Sequence, residues 1–204
     1  MTAETFPQLL IERQQQLGDA TALREKYYGI WQSISWTEYL EHVKHFSLGL
    51  ISLGLEKEDT VAVIGDNRPE WIYTELAAQA AGSKSIGIYQ DAVVSEMIYI
   101  IREAAVKFIV VEDQEQVDKI LEMWDELTGV QKVIYYDPKG LTNYTEEFLM
   151  DFKDVEALGQ SYEQDNPGFF EKRVAEGKGD DVAILSTTSG TTGTVSYTHL
   201  TLPT

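Results

Sequence analysis

Apolar positions along the chain follow two rhythms, and the switches between them lay out its elements. Over 5–17, Phe6, Leu9, Leu10 and Leu17 recur near helical spacing. Two β-rich runs, 21–28 and 30–35, meet at Gly29 and predict a hairpin. Ser35 and Glu38 form an S-x-x-E capping box that opens a helix. Its buried stripe is Leu40, Val43, Leu50 and Ile51, and Gly54 closes it.

From residue 60 onward, short apolar strands alternate with helical patterns. A strand over 60–64 leads to a Gly65-Asp66-Asn67 turn, where Asn67 is expected to cap a helix running through 71–81 with Pro69 in its first turn. Gly82 stops that helix, and a strand follows at 85–89. A helix at 95–104 leads to a strand at 107–111. Asp113 caps a helix with Val117, Ile120, Leu121 and Trp124 on one face. A strand at 133–136 ends in the turn Asp137-Pro138-Lys139-Gly140. The more polar stretch 141–179 predicts one or two surface helices, one of them over 168–176, before a last strand at 182–185. No internal repeat is present. Strands and helices in strict alternation predict an α/β fold, a largely parallel sheet flanked by helices.

Composition narrows the chemistry. The 204 residues suffice for one domain or one large subdomain, and the apolar (43%) and charged (25%) fractions are those of a globular protein. No apolar run is long enough to cross a bilayer and no basic-then-apolar leader follows Met1, so a cytoplasmic location is expected. The absence of cysteine removes disulfides, thiolate metal sites and a protein-borne thioester. His42, His45 and His199 show no metal-ligand spacing, and His42 and His45 read as polar residues on a solvated helix face. A net charge of −18 weighs against nucleic acid as a partner. Acidic residues concentrate over 146–181, which reads as a solubility feature. An anionic ligand would need local backbone donors or a metal ion.

Such donors gather near the end of the chain. The apolar run from Val182 enters a loop of Thr, Ser and Gly only, ending at Gly193. Glycines let the backbone approach a ligand, and hydroxyls with free amides can surround phosphate oxygens without adding charge. The loop lacks the Gly-Lys-Ser/Thr ending of a Walker motif, and no G-x-G-x-x-G follows any predicted strand. By composition alone, such a loop is more often a flexible connector.

The order of residues says more. Thr188-Ser189-Gly190-Thr191-Thr192-Gly193 resembles the T-S-G-T-T-G signature of the adenylate-forming superfamily, which includes acyl-CoA synthetases, luciferases and peptide-synthetase adenylation domains. Asp66-Asn67-Arg68-Pro69-Glu70-Trp71 resembles the N-R-P-E-W segment of the same enzymes, and Ser85-Ile86-Gly87-Ile88-Tyr89 the strand after it. By its own residues the Asn67–Trp71 segment reads as a capped helix start with a core tryptophan. The runs from Asp113 to Lys119 and from Ile134 to Asp137 are similar to bacterial long-chain fatty-acid–CoA ligases. The resemblance extends over 5–193, so residues 1–193 are identified as the N-terminal portion of an AMP-binding domain.

This resemblance implies ATP-dependent activation of a fatty acid, through an acyl-adenylate, to the coenzyme A thioester. ATP, Mg²⁺ and coenzyme A are the implied cofactor and co-substrates. Thr188, Ser189, Gly190, Thr191, Thr192 and Gly193 would hold the β- and γ-phosphates, and no earlier residue takes a catalytic or metal-binding role. The pattern departs from the family after Gly193, where a lysine is usual and Thr194-Val195-Ser196 stand instead. Residues 182–204 carry no Asp, Glu, Lys or Arg, and 194–204 resembles translated adapter sequence. A non-native tail is therefore expected there. Later adenine- and magnesium-binding motifs, the hinge and the carboxy-terminal lysine domain are missing, so the fragment alone is expected to be inactive. Two alternatives remain: a non-catalytic α/β module that binds a nucleotide or a partner, and an adenylating enzyme for another carboxylic acid. Peripheral membrane contact is open to a fatty-acid enzyme, although no basic amphipathic helix supports it.

Overall fold

Local signals set the first elements. In the computed structural model, which describes residues 3–188 and 196–200, helix α1 (Phe6–Leu17) starts where the Thr5 hydroxyl accepts the Gln8 amide, and ends at Gly18. Strands β1 (Thr21–Tyr27) and β2 (Ile30–Ser35) form the expected hairpin. Its turn takes Tyr28 to φ +45° and Gly29 to φ +81°, the paired positive angles that match the twist of a tight hairpin. The Ser35–Glu38 capping box closes in both directions, and α2 (Trp36–Ser52) follows.

The alternating region then builds the sheet. It comprises β3 (Thr60–Ile64), α3 (Pro69–Ala80), β4 (Lys84–Ile88), α4 (Val94–Glu103), β5 (Val106–Val111), α5 (Gln114–Met123) and β6 (Lys132–Tyr135). After these come β7 (Leu149–Asp151), α6 (Phe152–Asp165), α7 (Phe169–Ala175), β8 (Ile184–Thr188) and β9 (Ser196–Leu200). Six strands are parallel in the order β7-β6-β5-β3-β4-β8, and β9 pairs antiparallel with β8. Alternate strand residues face opposite layers. Val61, Phe108, Val110 and Ile134 pack beneath α1, α2, α3, α6 and α7. Ala62, Ile64, Ile86, Ile109 and Val133 pack beneath α4 and α5. No helix of the described residues is long and apolar enough to cross a membrane.

Three expectations change. Asn67 does not cap α3: Arg68 occupies the cap position without a side-chain capping hydrogen bond, and Pro69 starts the helix, where its missing N–H costs nothing. The last strand begins at Ile184 rather than residue 182. The stretch 141–179 is more than surface, because it adds strand β7 to the sheet edge and lays α6 tightly across α2. At that crossing Phe46 stacks on Phe152 with ring centroids 3.9 Å apart.

The same crossing revises the two histidines and the acidic stretch. His42 Nδ1 lies 2.6 Å from Glu156 Oε1, and its ring stacks on Tyr73 at 4.7 Å. His45 Nε2 lies 3.3 Å from Glu163, Lys44 pairs with Glu163, and Lys44 Nζ lies 3.0 Å from Glu171. Acids that composition assigned to solubility therefore clamp α6 and α7 onto Lys44 and the two histidines of α2.

Candidate active site

The chain leaves β3 in one direction across the sheet and returns from β4 in the other to reach β5, so α3 and α4 lie on opposite faces. Loops leaving the adjacent strands β3 and β5 therefore diverge toward opposite faces at their carboxyl ends, the edge where ligands usually bind in such sheets. Gly65 follows β3 there. A Cβ on it would stand 2.5 Å from the Tyr136 hydroxyl and 2.7 Å from Glu112 Cβ, so the close approach requires glycine.

Glu112, just after β5, organises the rim. Its Oε2 accepts the Asp66 amide at 2.6 Å and its Oε1 accepts Arg68 Nε at 3.3 Å. Arg68 Nη1 also donates to Glu25 Oε1 of the hairpin at 2.7 Å. Hydrogen bonding to Glu25, with Glu112 beside it, raises the Arg68 pKa and keeps the guanidinium charged. Gln90 Nε2 donates to Asp66 Oδ1 at 3.1 Å, and Lys119 Nζ donates to the Gln90 carbonyl at 2.6 Å. The turns after β3, β4 and β5 are thus tied together. The Tyr136 hydroxyl is buried without a hydrogen-bond partner, and burial followed by the nearby Glu112 charge pushes its pKa up, so it stays protonated.

The cavity beside this rim arises where two strands part. Pairing of β4 with β8 covers Ser85 with Ile184 and Ile86 with Leu185, and goes no further. Beyond it lies a cleft of about 430 Å³ lined by Trp71 and Glu75 of α3, by Gly87 and Tyr89, and by Ser186 and Thr187 of β8, with Asp66 and Asn67 at its rim. A Cβ on Gly87 would stand 2.8 Å from Trp71 Cζ2, so the indole lies directly against the β4 backbone. Trp71 is partly exposed and forms a wall of the cleft rather than part of the core. Burial raises the Glu75 carboxyl pKa, opposed by a hydrogen bond from the Trp71 side chain. A second cleft of about 510 Å³ lies near the amino ends of β4 and β8, away from the loop, and is lined by Lys57, Lys84 and Arg173 among others. There Lys57 is already paired with Glu176 at 2.7 Å.

The backbone of Thr188 ends β8 at this carboxyl edge, while Ser189, Gly190, Thr191, Thr192 and Gly193 lie outside the described residues. Ser186 and Thr187, just before them, face the cleft. Sequence reasoning passed over Glu75, Gly87, Gln90 and Glu112. One signal was present, since an isolated glycine inside a strand pattern marks a close approach. Among the described residues no group of three or more His, Asp or Glu side chains is placed to hold a metal ion.

The family of AMP-binding enzymes matches residues 10–196. This chain belongs to that family. It is 31% identical over 193 residues to the long-chain-fatty-acid–CoA ligase ACSBG1 of Rattus norvegicus, covering 93% of this chain and 26% of that protein. Against the ligase ACSBG2 of Xenopus laevis it is 30% identical, with 93% and 25% covered. The chain thus spans about a quarter of the length of these relatives. Its fold superimposes on an anthranilate CoA ligase, AuaEII, solved with anthranoyl-AMP, at a TM-score of 0.79 and 17% identity, covering 96% of this chain and 34% of that one. It also superimposes on a luciferase-like enzyme from the mealworm Zophobas morio at 0.77 and 16% identity, with 97% and 42% covered.

Proposed function

We propose that this chain is the amino-terminal part of a cytoplasmic acyl-CoA ligase that activates a long-chain fatty acid with ATP. The fatty-acid carboxylate attacks the α-phosphorus of ATP, and pyrophosphate leaves with the bonding pair. The coenzyme A thiol, losing its proton, then attacks the acyl carbonyl, and AMP leaves. One observation carries the reading: β8 runs toward the carboxyl edge of a parallel sheet and there enters the T-S-G-T-T-G sequence, beside an open cleft. Phosphate oxygens held at such an edge meet backbone amides without a charged side chain. In this reading Thr188, Ser189, Gly190, Thr191, Thr192 and Gly193 hold the β- and γ-phosphates, and the cleft forms part of their approach.

The long-chain assignment is supported by relatives at about 30% identity. Mg²⁺ would neutralise phosphate charge in the longer enzyme, but the described residues offer no ligand set that fits it. No described residue is assigned to adenine, acyl chain or thiol. Residues 194–204 are read as foreign to the gene; the pairing of Ser196–Leu200 with β8 needs only main-chain hydrogen bonds, which any extended segment supplies.

The test begins with sequencing the locus through codon 194 and expressing the reading frame it supplies. The long product is expected to convert palmitate, ATP and coenzyme A to palmitoyl-CoA with release of pyrophosphate. The 204-residue chain alone is expected to give no thioester above a blank. Replacing Thr191 and Thr192 together by valine should lower kcat/KM of the long product by about 100-fold, as expected when phosphate-stabilising donors are lost. Thioester formation without ATP, preference for an aryl acid, or turnover by the short chain would overturn the corresponding part of the reading.

A further inference from the structure

The β1–β2 hairpin ends in an apolar tip that none of the described residues covers. Tyr27, Tyr28, Ile30 and Trp31 are 53%, 82%, 65% and 64% exposed. Its base is fastened, since Leu23 and Ile34 pack against the core and Glu25 pairs with Arg68 at 2.7 Å. Large apolar side chains at the end of an anchored hairpin mark a contact surface.

Charge and size indicate what that surface meets. Lys26 lies opposite Trp31 and Arg24 opposite Ser33, so Arg24, Lys26 and Trp31 share one face of the hairpin. Arg24 and Lys26 are exposed and have no acidic partner among the described residues. The one acid of these two strands, Glu25, is turned toward Arg68. The hairpin is therefore a small basic and aromatic projection on a chain of net charge −18. Four such side chains expose on the order of 500 Å², below the roughly 800 Å² that each partner of a stable protein complex commonly buries. A bilayer surface requires no such matched patch. Tyr and Trp favour the headgroup level, where the ring is apolar and its polar atom stays wet, and flanking cations meet anionic headgroups.

We propose that the hairpin tip docks this chain on an anionic lipid surface, with Tyr28 and Trp31 entering the headgroup layer and Arg24 and Lys26 contacting lipid phosphates or carboxylates. Under the fatty-acid reading above, the Glu25–Arg68–Glu112 contacts connect this tip to the rim of the cleft. The docking itself is tested without any activity, so it stands or falls separately from that reading.

The experiment is co-sedimentation of the 204-residue chain with vesicles of phosphatidylcholine containing one-fifth phosphatidylserine, and with phosphatidylcholine alone. The wild type is expected to bind the mixed vesicles and to be released by high salt. Tyr28→Ser with Trp31→Ser should weaken binding by about ten-fold or more, since buried aromatic area and surface charge supply the affinity. Arg24→Glu with Lys26→Glu, which leaves the apolar tip intact, should weaken binding to mixed vesicles and leave the weak binding to phosphatidylcholine unchanged. These sites are exposed, and circular dichroism checks that each variant is folded. Absence of wild-type binding, or equal binding by folded tip variants, overturns the proposal. So does a wild-type dimer that the Tyr28/Trp31 variant dissolves, because the tip would then be meeting a second copy.

Discussion

The crossing of α2 on α6 and the cleft between β4 and β8 both depend on glycine, and they use it in opposite ways. At the crossing there is no room for a side chain. A Cβ on Gly159 would overlap the His45 carbonyl, and one on Gly49 would overlap the Val155 carbonyl. Backbones meet directly there, with Phe46 on Phe152 and the His42–Glu156 contact alongside. At the cleft, Gly87 yields its space to the Trp71 ring, and the strands part just beyond. The first region is closed against any ligand, and the second is open to one. Backbone cannot move aside for an added methyl group, whereas an aromatic ring at a cavity wall can.

That contrast sets the order of expected effects. Gly159→Ala should cost the most, on the order of 3 kcal/mol or more, because two helices must separate. Urea unfolding followed by circular dichroism measures it, and a loss below about 1 kcal/mol would show that the crossing slides open easily. Gly87→Ala should cost about 1–2 kcal/mol as the indole is displaced into the cleft. The penalty should shrink in a Trp71→Ala background, with a coupling of about 1 kcal/mol between the two sites. An unchanged penalty would mean that the strand itself, rather than Trp71, requires the glycine.

Two smaller effects depend on pH. Burial raises the Glu75 carboxyl pKa above its ordinary value of 4.5, so the folded state holds that proton more tightly than the unfolded chain. This contribution declines as pH rises from the ordinary carboxylate range through the raised folded value. Glu75→Gln should therefore gain stability relative to wild type at pH 7 compared with pH 4, measured by thermal unfolding at both. The converse outcome would place the carboxylate in water rather than in the cleft wall. His42 is the smallest case. The hydrogen bond with Glu156 raises its pKa above 6.5 against the opposing effect of burial, and Glu70 and Glu38 add to the rise. That stabilisation is complete below the ordinary imidazole value and is lost as pH rises through the folded value. His42→Gln should cost less than about 1 kcal/mol at pH 6, since the imidazole is 44% exposed, and less again at pH 9. A cost independent of pH would assign the effect to stacking on Tyr73.

Much of the fold was legible because its signals are short-range. The Ser35–Glu38 box, the Asp113 cap and the turn at Gly29 each act within four residues, so neighbouring sequence suffices to read them. The strand–helix alternation between 60 and 136 was legible for the related reason that periodicity reports which side of an element is buried. The reading failed where partners are far apart in the chain. Strand β7 has only three residues, too few to show a period, and takes its place from pairing with β6. Nothing near His42 announces Glu156, 114 positions away.

The candidate site divides along the same line. By itself the sequence determined the alternating α/β plan and the resemblance carried by Thr188 to Gly193, since these need only the order of residues along the chain. Tertiary structure alone decided that Trp71 is a cleft wall, that Glu112 ties the turns after β3 and β5 together, and that the β4–β8 pairing stops at Leu185 to leave a cavity. Each of these depends on how far apart packed elements come to rest. That spacing is set by the side chains filling the layers on both faces of the sheet, which no single stretch of sequence contains.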